Sequence, residues 1–363
     1  MKKILIIGPI PEPTTGVSLA NKVVADNLIE HDGFSVDTIN TSYNKFDENL
    51  GAFSLSKFLF YLKLNFFAYK IFKANIIYIT PGQTFFGVVK YTLFIALSKL
   101  AGKELITHIH GNYVGKEYGL LKGLKKQIFK ILLSKTSKGI VLSESLTGNM
   151  SPFIPKDNIF VLYNFVENYL FPTSNEVKEK VQSFKKPKIV FLSNLMEEKG
   201  IFALLEALKI LENEGVDYEA KIAGHIDASN KDKVTAYFDD LKHTTYCGVV
   251  RGQEKKDLLI WANTFILPTW YTMEGQPISI LEAMATANVV LTTNHAGIPD
   301  IFKASINGFY VNKNDPNSIV NMVKTLSDNH ESSNKIQEHN FNEAKEKYKV
   351  KSFIDNAVSI FRA

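Results

Sequence analysis

YTMEGQPISILEAMATANVV, residues 271–290, sets Glu274 and Glu282 eight positions apart with Gly275 and Pro277 between them. Pro277 suits a first helical turn, so Glu274 falls in the preceding loop and Glu282 about a turn and a half inside the helix. One carboxylate near a helix start is accounted for by the macrodipole and the unbonded N–H groups. The second carboxylate and the glycine need another reason. FILP (265–268) before the segment and NVVLTTN (288–294) within and after it read as strands. A strand, a helix and a further strand in that order form the unit from which parallel sheets are built.

The same alternation extends in both directions. KILIIGP (3–9), FSVDTIN (34–40), NIIYIT (75–80), ELITHIHG (104–111), GIVLSES (139–145) and NIFVLYNFV (158–166) read as strands. VSLANKVVADNLIE (17–30) and GVVKYTLFIALSKLAG (87–102) have helical spacing. A second series opens with IVFLSNL (189–195) and the helix GIFALLEALKILENEG (200–215). It continues through YEAKIAG (218–224), TYCGVV (245–250), KKDLLIWAN (255–263) and GFYVN (308–312). Short apolar runs between turn signals are the signature of parallel strands covered on both faces. The expectation is an α/β protein of two doubly wound, Rossmann-like domains facing across a cleft. Residues 1–170 form the first, with a helix at about 350–363 packing back onto it. Residues 171–349 form the second and include a stretch with the composition of a solvated linker, 171–188, for part of which a helix is the open alternative.

A chain of 363 residues exceeds what one core usually holds, which agrees with two domains. The single cysteine, Cys247, excludes an intramolecular disulfide and suits a reducing compartment. The start, MKKILIIGPIPEP, has too short an apolar run for a signal peptide and reads as a strand. No stretch is long and apolar enough to span a membrane. Charge is unevenly placed: residues 50–140 carry 14 lysines, no arginine and two acids, Glu104 and Glu117, within a chain of net charge +5. In SKFLFYLKLNFFAYKIFK (56–73) helical spacing puts Lys63, Lys70 and Lys73 on one face. In GLLKGLKKQIFKILLSK (119–135) Lys122, Lys126 and Lys130 step four at a time. Two readings stand: solvated lysine faces over a core, or a surface lying on anionic lipid head groups. The absence of arginine argues against nucleic acid.

Ligands of doubly wound sheets lie beyond the strand C-termini, which makes the residues after each strand the candidates. GPIPEPTTG (8–16) ends in Gly16 before a helix, where backbone N–H groups can meet an anion. His110-Gly111 leaves the fourth strand, whereas His108 belongs to it. FLSNLMEEKG (191–200) places Asn194, Lys199 and Gly200 between strand and helix, with Lys199 a point charge for a phosphate. Gly224 and Gly248 suit a close approach of backbone to a flat ring. The N–H groups of Ile278 and Ser279 lie between the carboxylates of Glu274 and Glu282, which accept hydrogen bonds from hydroxyls. Hydroxyls at both ends and a diphosphate between describe a nucleotide sugar.

PTWYTMEGQPISILEAMA resembles the E-x7-E segment of the retaining glycosyltransferases of family 4, which have the GT-B fold. The resemblance covers most of the chain: Gly16, His110-Gly111, VLYNFVEN (161–168), Lys199-Gly200, CGVVRG, and HAGIPDIF (295–302) followed by NGFYV. It implies that Glu274 binds the donor sugar hydroxyls, Glu282 the ribose and Lys199 the diphosphate, with His110 by the reacting sugar. Glu274, His110 and Lys199 are the expected catalytic residues. The donor site further takes in Gly16, Asn194, Gly224, Val249, Arg251, Gly275, Gln276, Pro277, Ile278, Ser279 and Glu282. Three departures stand out. Asn194, after Ser193, replaces the usual arginine. Ala287 and Val289 replace a glycine and a proline, with an effect expected on packing only. Phe165 replaces the glycine after Asn164.

The expected reaction is retaining transfer of a hexose from a UDP- or GDP-sugar to a saccharide, polyprenyl-diphosphate-linked at a membrane face, in bacterial-type surface polysaccharide assembly. Lys199 and the N–H groups after Pro277 ease departure of the diphosphate. No Asp-x-Asp occurs, so no metal and no cofactor beyond the donor are expected. The location expected is cytoplasmic, peripheral on the inner face of the cell membrane through residues 50–140. Hydrolysis by paired carboxylates fits poorly, because a hydrolase needs no diphosphate cradle. A non-catalytic nucleotide-sugar-binding protein and a GT-B-type sugar-nucleotide epimerase are the alternatives. The epimerase pattern lacks the E-x7-E segment.

Overall fold

A computed structural model describes residues 1–30, 33–43 and 55–363, giving backbone only for residues 55, 57 and 58. Residues 50–54 of the basic stretch thus lie outside the described residues. The chain forms two compact units: Met1–Asn164 with Met273–Gln276 and Lys351–Ala363, and Phe165–Thr272 with Pro277–Val350.

The first unit has strands β1 (Lys2–Gly8), β2 (Phe34–Asn40), β3 (Ile76–Ile79), β4 (Glu104–Ile109), β5 (Lys138–Val141) and β6 (Ile159–Val161). Its sheet is parallel, in the order β2-β1-β3-β4-β5-β6. Strand order therefore reverses between β1 and β3. The helices are α1 (Gly16–Ile29), α2 (Leu55–Leu64), α3 (Phe85–Val89), α4 (Thr92–Leu100), α5 (Val114–Leu120) and α6 (Gly123–Leu133). One apolar core joins Leu5, Ile7, Ile77, Ile79, Leu105 and Val141 of the sheet to residues from α3, α4 and α6.

Two helices differ from the periodicity. Residues 56–73 are not one α-helix, because α2 gives way to a 3-10 helix, Asn65–Lys73. Ala68, Ile71 and Ala74 meet the core at a spacing of three, the repeat of a 3-10 helix. Lys70 is not a solvated lysine like Lys63 and Lys73, because its ammonium bonds Asp37 at 2.8 Å and the Thr38 carbonyl. Residues 87–102 break into α3 and α4 where Tyr91 turns inward to donate to the Thr80 carbonyl, 3.3 Å away. Lys90 beside it bonds the Tyr61 hydroxyl, and burial brings its pKa down to about 8.

The second unit has β7 (Lys188–Leu192), β8 (Glu219–Ala223), β9 (Thr244–Tyr246), β10 (Thr264–Leu267), β11 (Val289–Thr292) and β12 (Gly308–Tyr310). They run parallel in the order β12-β11-β10-β7-β8-β9, reversing between β7 and β10. Its helices are α7 (Ser174–Gln182), α8 (Ile201–Asn213), α9 (Lys231–Asp240), α10 (Gly252–Trp261), α11 (Ile278–Ala285), α12 (Pro316–Asp328) and α13 (His330–Lys347), and a last helix, α14 (Val350–Arg362), follows them in the chain. The stretch read as a solvated linker contains α7. Thr173 and Glu176 form its capping box, and Val177 and Val181 are buried with Ala287 and Phe341. Nearly all of α14 belongs to the first unit, where Phe361 meets Tyr78 edge-on at 5.6 Å and the Ile360 carbonyl accepts from Lys138.

Candidate functional site

Each sheet has one place where its strand order reverses, and crevices form there beyond the strand C-termini. In the second unit that place lies after β7 and β10, the strands followed by Lys199 and by the Glu274 loop. The two loops are stitched together: the Glu198 carbonyl accepts from the Trp270 N–H at 2.8 Å and from the Thr269 hydroxyl at 3.3 Å. Gly200 turns left-handed at φ +82°, and a Cβ on it would lie 2.5 Å from the Pro268 carbonyl oxygen. The Lys199 ammonium lies 5.1 Å from the centre of the Tyr271 ring, a cation–π contact that holds a flexible lysine over this loop. Asn194 is exposed on the same loop. Gly224, at φ +146°, packs so closely that a Cβ would fall 1.8 Å from the Ser193 oxygen. Its tightest approach is to the protein's own backbone. Gly248 has open space around it and a φ of +69°, a conformation that favours glycine.

Helix α11 begins at Ile278, with Pro277 as its cap residue and not its first residue. No side chain caps it, so the N–H groups of Ile278 and Ser279 keep the polarity of a helix start. Glu282 is almost fully buried and pairs with Lys255 of α10, with Oε1 2.6 Å from Nζ. Glu167 Oε2 lies 3.6 Å from the same Nζ. Burial alone would lower the Lys255 pKa, but Glu282 more than reverses this and the pKa is raised. Arg251 stands at the N-cap position of α10, on the loop after the edge strand β9, and Val249 on the same loop is exposed.

In the first unit the loop after β1 meets the end of β3. Asn21 Nδ2 donates to the Pro9 carbonyl and the Thr80 hydroxyl, each at 2.8 Å. Gly16 opens α1, whose start is closed by a Thr15–Ser18 capping box. The His108 and His110 rings lie with centres 3.8 Å apart and planes tilted by 36°, and the Tyr78 hydroxyl bonds His108 Nδ1 at 2.6 Å. His110 Nε2 is buried without a hydrogen-bond partner. Burial lowers the His110 pKa to about 3, and burial followed by the neighbouring His110 lowers that of His108. Both rings are neutral near pH 7.

Residues 273–276 belong to this unit. A Cβ on Gly275 would lie 3.0 Å from Gly111 Cα and 3.1 Å from the His110 oxygen, so only a glycine lets the loop reach that turn. Gln276 secures it. Its Oε1 accepts from the Asn164 N–H at 2.6 Å, its carbonyl accepts from Asn164 Nδ2, and its Nε2 donates to the Leu142 carbonyl. Gln83 donates to the Met273 carbonyl and accepts from the Tyr113 N–H. Glu274, between these anchors, is buried.

The first unit thus gathers Glu274, Gly275 and Gln276 with His110 and Gly111. The second gathers Lys199 with the loop after β10, and holds Glu282 on Lys255. Sequence reasoning missed Gln83, Tyr78, Tyr271 and Lys255. Gln83 follows β3 at the reversal point and was open to the strand-end rule; Lys255 sits inside a helix and carries no local signal. The departure at Ala287 also reaches beyond packing, because that residue adopts φ +55°, a conformation that favours glycine.

The two six-stranded parallel sheets define a GT-B glycosyltransferase fold. A crystal structure of Anabaena Alr3699/HepE in complex with UDP and glucose superposes over the whole of both chains, with a TM-score of 0.73 and 14% identity. Residues 173–343 match the family model described as glycosyl transferases group 1. The chain is 26% identical over 346 residues to an uncharacterized glycosyltransferase of Methanocaldococcus jannaschii, covering 88% of this chain and 87% of that protein. It is 29% identical over 145 residues to the amylovoran biosynthesis glycosyltransferase AmsK of Erwinia amylovora, covering 39% and 36%. It is 28% identical over 167 residues to the UDP-Gal:alpha-D-GlcNAc-diphosphoundecaprenol alpha-1,3-galactosyltransferase of Escherichia coli, covering 42% and 40%. The chain therefore spans less than half the length of the last two.

Proposed function

We propose that the protein is a retaining glycosyltransferase of the family 4 type. It moves a hexose from a UDP- or GDP-sugar to a saccharide acceptor linked to a polyprenyl diphosphate, in surface polysaccharide assembly at the inner face of the cell membrane. The observation that carries the reading is the seat of Gly275 against His110-Gly111, which brings the loop carrying Glu274 onto the turn that carries His110, whose Nε2 is buried without a hydrogen-bond partner. In this reading Glu274 orients the hydroxyls of the transferred sugar and His110 lies by its anomeric centre. Glu282, with one oxygen on Lys255, offers the other to the ribose. Lys199 and the start of α11 stabilise the leaving diphosphate, where charge develops. The relatives' names, which include a UDP-galactose donor and a diphosphoundecaprenol-linked acceptor, support these choices of donor and acceptor. The reaction needs no divalent metal, so turnover is expected to survive a chelator.

The test compares two carboxylate variants by calorimetry with free UDP and GDP and by turnover with intact sugar donors. Glu282→Ala is expected to weaken nucleotide binding, and Glu274→Ala to lower turnover while leaving diphosphate affinity near wild type. Equal loss of diphosphate affinity in both variants refutes the division of roles.

A further inference from the structure

Most of the large exposed apolar side chains among the described residues lie on the helices of residues 55–133 in the first unit. A 3-10 helix repeats every three residues, so side chains at i and i+3 eclipse and the element presents three straight rows. One row of the helix Asn65–Lys73 (Ala68, Ile71) is buried in the core. The next row is Phe66, Tyr69 and Phe72, exposed by 79%, 54% and 59%. The third is Phe67, Lys70 and Lys73, with the Lys73 ammonium 5.5 Å from the centre of the Tyr69 ring. An α-helix would have splayed the three aromatic residues around its surface. The 3-10 turn lines them up into one ridge.

The neighbours continue this character. Helix α2 runs directly into the 3-10 helix, and α4 packs on it. They expose Leu59, Leu62 and Leu93, Leu100, together with Lys63 and Lys99. Neither these two helices nor the 3-10 helix contains an aspartate or glutamate. A row of solvent-facing aromatics flanked by leucines and uncompensated lysines has the composition of an element lying at a membrane interface, with rings at head-group level and ammonium groups on lipid phosphates. A second copy of this chain is a poor occupant, since a two-fold contact brings the same patch from each copy and sets lysines against lysines.

We propose that the Phe66–Tyr69–Phe72 ridge, with Lys63, Lys73 and Lys99 around it, docks the protein on an anionic lipid surface. The inference rests on the membrane-face part of the reading above and gives it a surface, and its readout, lipid binding with no sugar present, can fail without touching the transfer reaction. The experiment is flotation of the full chain with vesicles of phosphatidylcholine alone or mixed with phosphatidylglycerol, at low and raised salt. Wild type is expected to float with the mixed vesicles only, and less so as salt rises. Phe66→Ser/Phe72→Ser should weaken this at least ~10-fold, since both rings leave the interface. Lys63→Gln/Lys73→Gln should weaken it by roughly 5-fold per lysine at low salt. All four residues are exposed, and an unchanged melting temperature confirms that the variants are folded. Wild type remaining in solution with anionic vesicles at low salt overturns the proposal, as does flotation of the double serine variant equal to wild type. A sizing column on which that variant turns a dimer into a monomer assigns the ridge to contact between copies, and the lipid surface falls.

Discussion

Replacing Lys255 by methionine removes the ammonium that Glu282 faces while keeping much of the side chain's volume. The pair is 2.6 Å apart with side chains 15% and 6% exposed, so Glu282 cannot recover water when its partner goes. Breaking a buried pair from one side costs about 3–5 kcal/mol. Glu167 adds to this, because its carboxylate, 3.6 Å from the lost charge, then faces Glu282 uncompensated. For a unit in the 150–250-residue range, each kcal/mol lowers the melting temperature by about 2–4 °C, so the expected drop is roughly 6–20 °C. Scanning calorimetry should place it in the transition of the second unit. The double variant Lys255→Met/Glu282→Leu removes both charges and should recover to within about 1–2 kcal/mol of wild type. The pH dependence has a fixed sign. A lysine whose pKa is raised on folding contributes stability fully present below the unfolded value of about 10.4, and lost as pH rises through the folded value. The stability gap between wild type and Lys255→Met should therefore hold through neutral pH and narrow above pH ~10.4. A drop of less than about 2 °C for the single variant, or a double variant as unstable as the sum of the singles, refutes the argument.

Lys199→Ala is expected to slow transfer by ~10²-fold or more, the scale of removing one electrostatic stabiliser; residual turnover above a tenth of wild type assigns the role to another cation. Lys180→Met leaves the Thr286 carbonyl and the Asn288 side-chain oxygen without their lysine donor and should cost about 1–3 kcal/mol in urea unfolding. Unchanged stability sinks that estimate. Because the folded pKa of His110 is lowered to about 3, its contribution is complete above pH ~6.5 and is lost as pH falls toward 3, by up to ~1.4 kcal/mol per pH unit. His110→Asn should flatten the acid limb of stability for the first unit by about one proton; an unaltered slope means the imidazole is charged in the fold.

The sheets were legible because each strand is a short apolar run between turn residues, and both faces of each run are covered. The helices were less so. Residues 56–73 have an apolar pattern that fits a period of 3.6 well enough, and the shift to three residues per turn follows from where Ala68, Ile71 and Ala74 meet the core. A linker composition left α7 as an alternative without bounds, because Val177 and Val181 are only two apolar residues in a charged stretch, yet both are buried. The basic stretch was visible as composition, but not which of its lysines are internal. Lys70, Lys90 and Lys138 are tied to Asp37, Tyr61 and Glu104, partners distant in sequence.

The segment that opened the reading shows most clearly where local pattern stops informing. Glu274 and Glu282 look like one motif because eight residues separate them, and that is how the spacing is recognised. In the fold they rest on different cores. Glu274 is held through its neighbours: Gly275 against the turn after β4, Gln276 on Asn164 and Leu142, and Met273 under Gln83. Glu282 is held by Lys255 of α10, in the unit that begins again at Pro277. Each carboxylate is thus positioned by packing that the other does not share. A substitution that loosens Gln276 acts on Glu274, whereas one at Lys255 acts on Glu282. This gives a physical basis for the separate effects expected of the two alanine variants on sugar transfer and on nucleotide binding. Gly275 then has its explanation: the chain must pass close to Gly111 to deliver a carboxylate to one unit immediately before starting a helix in the other, and a Cβ at that point would hold it away.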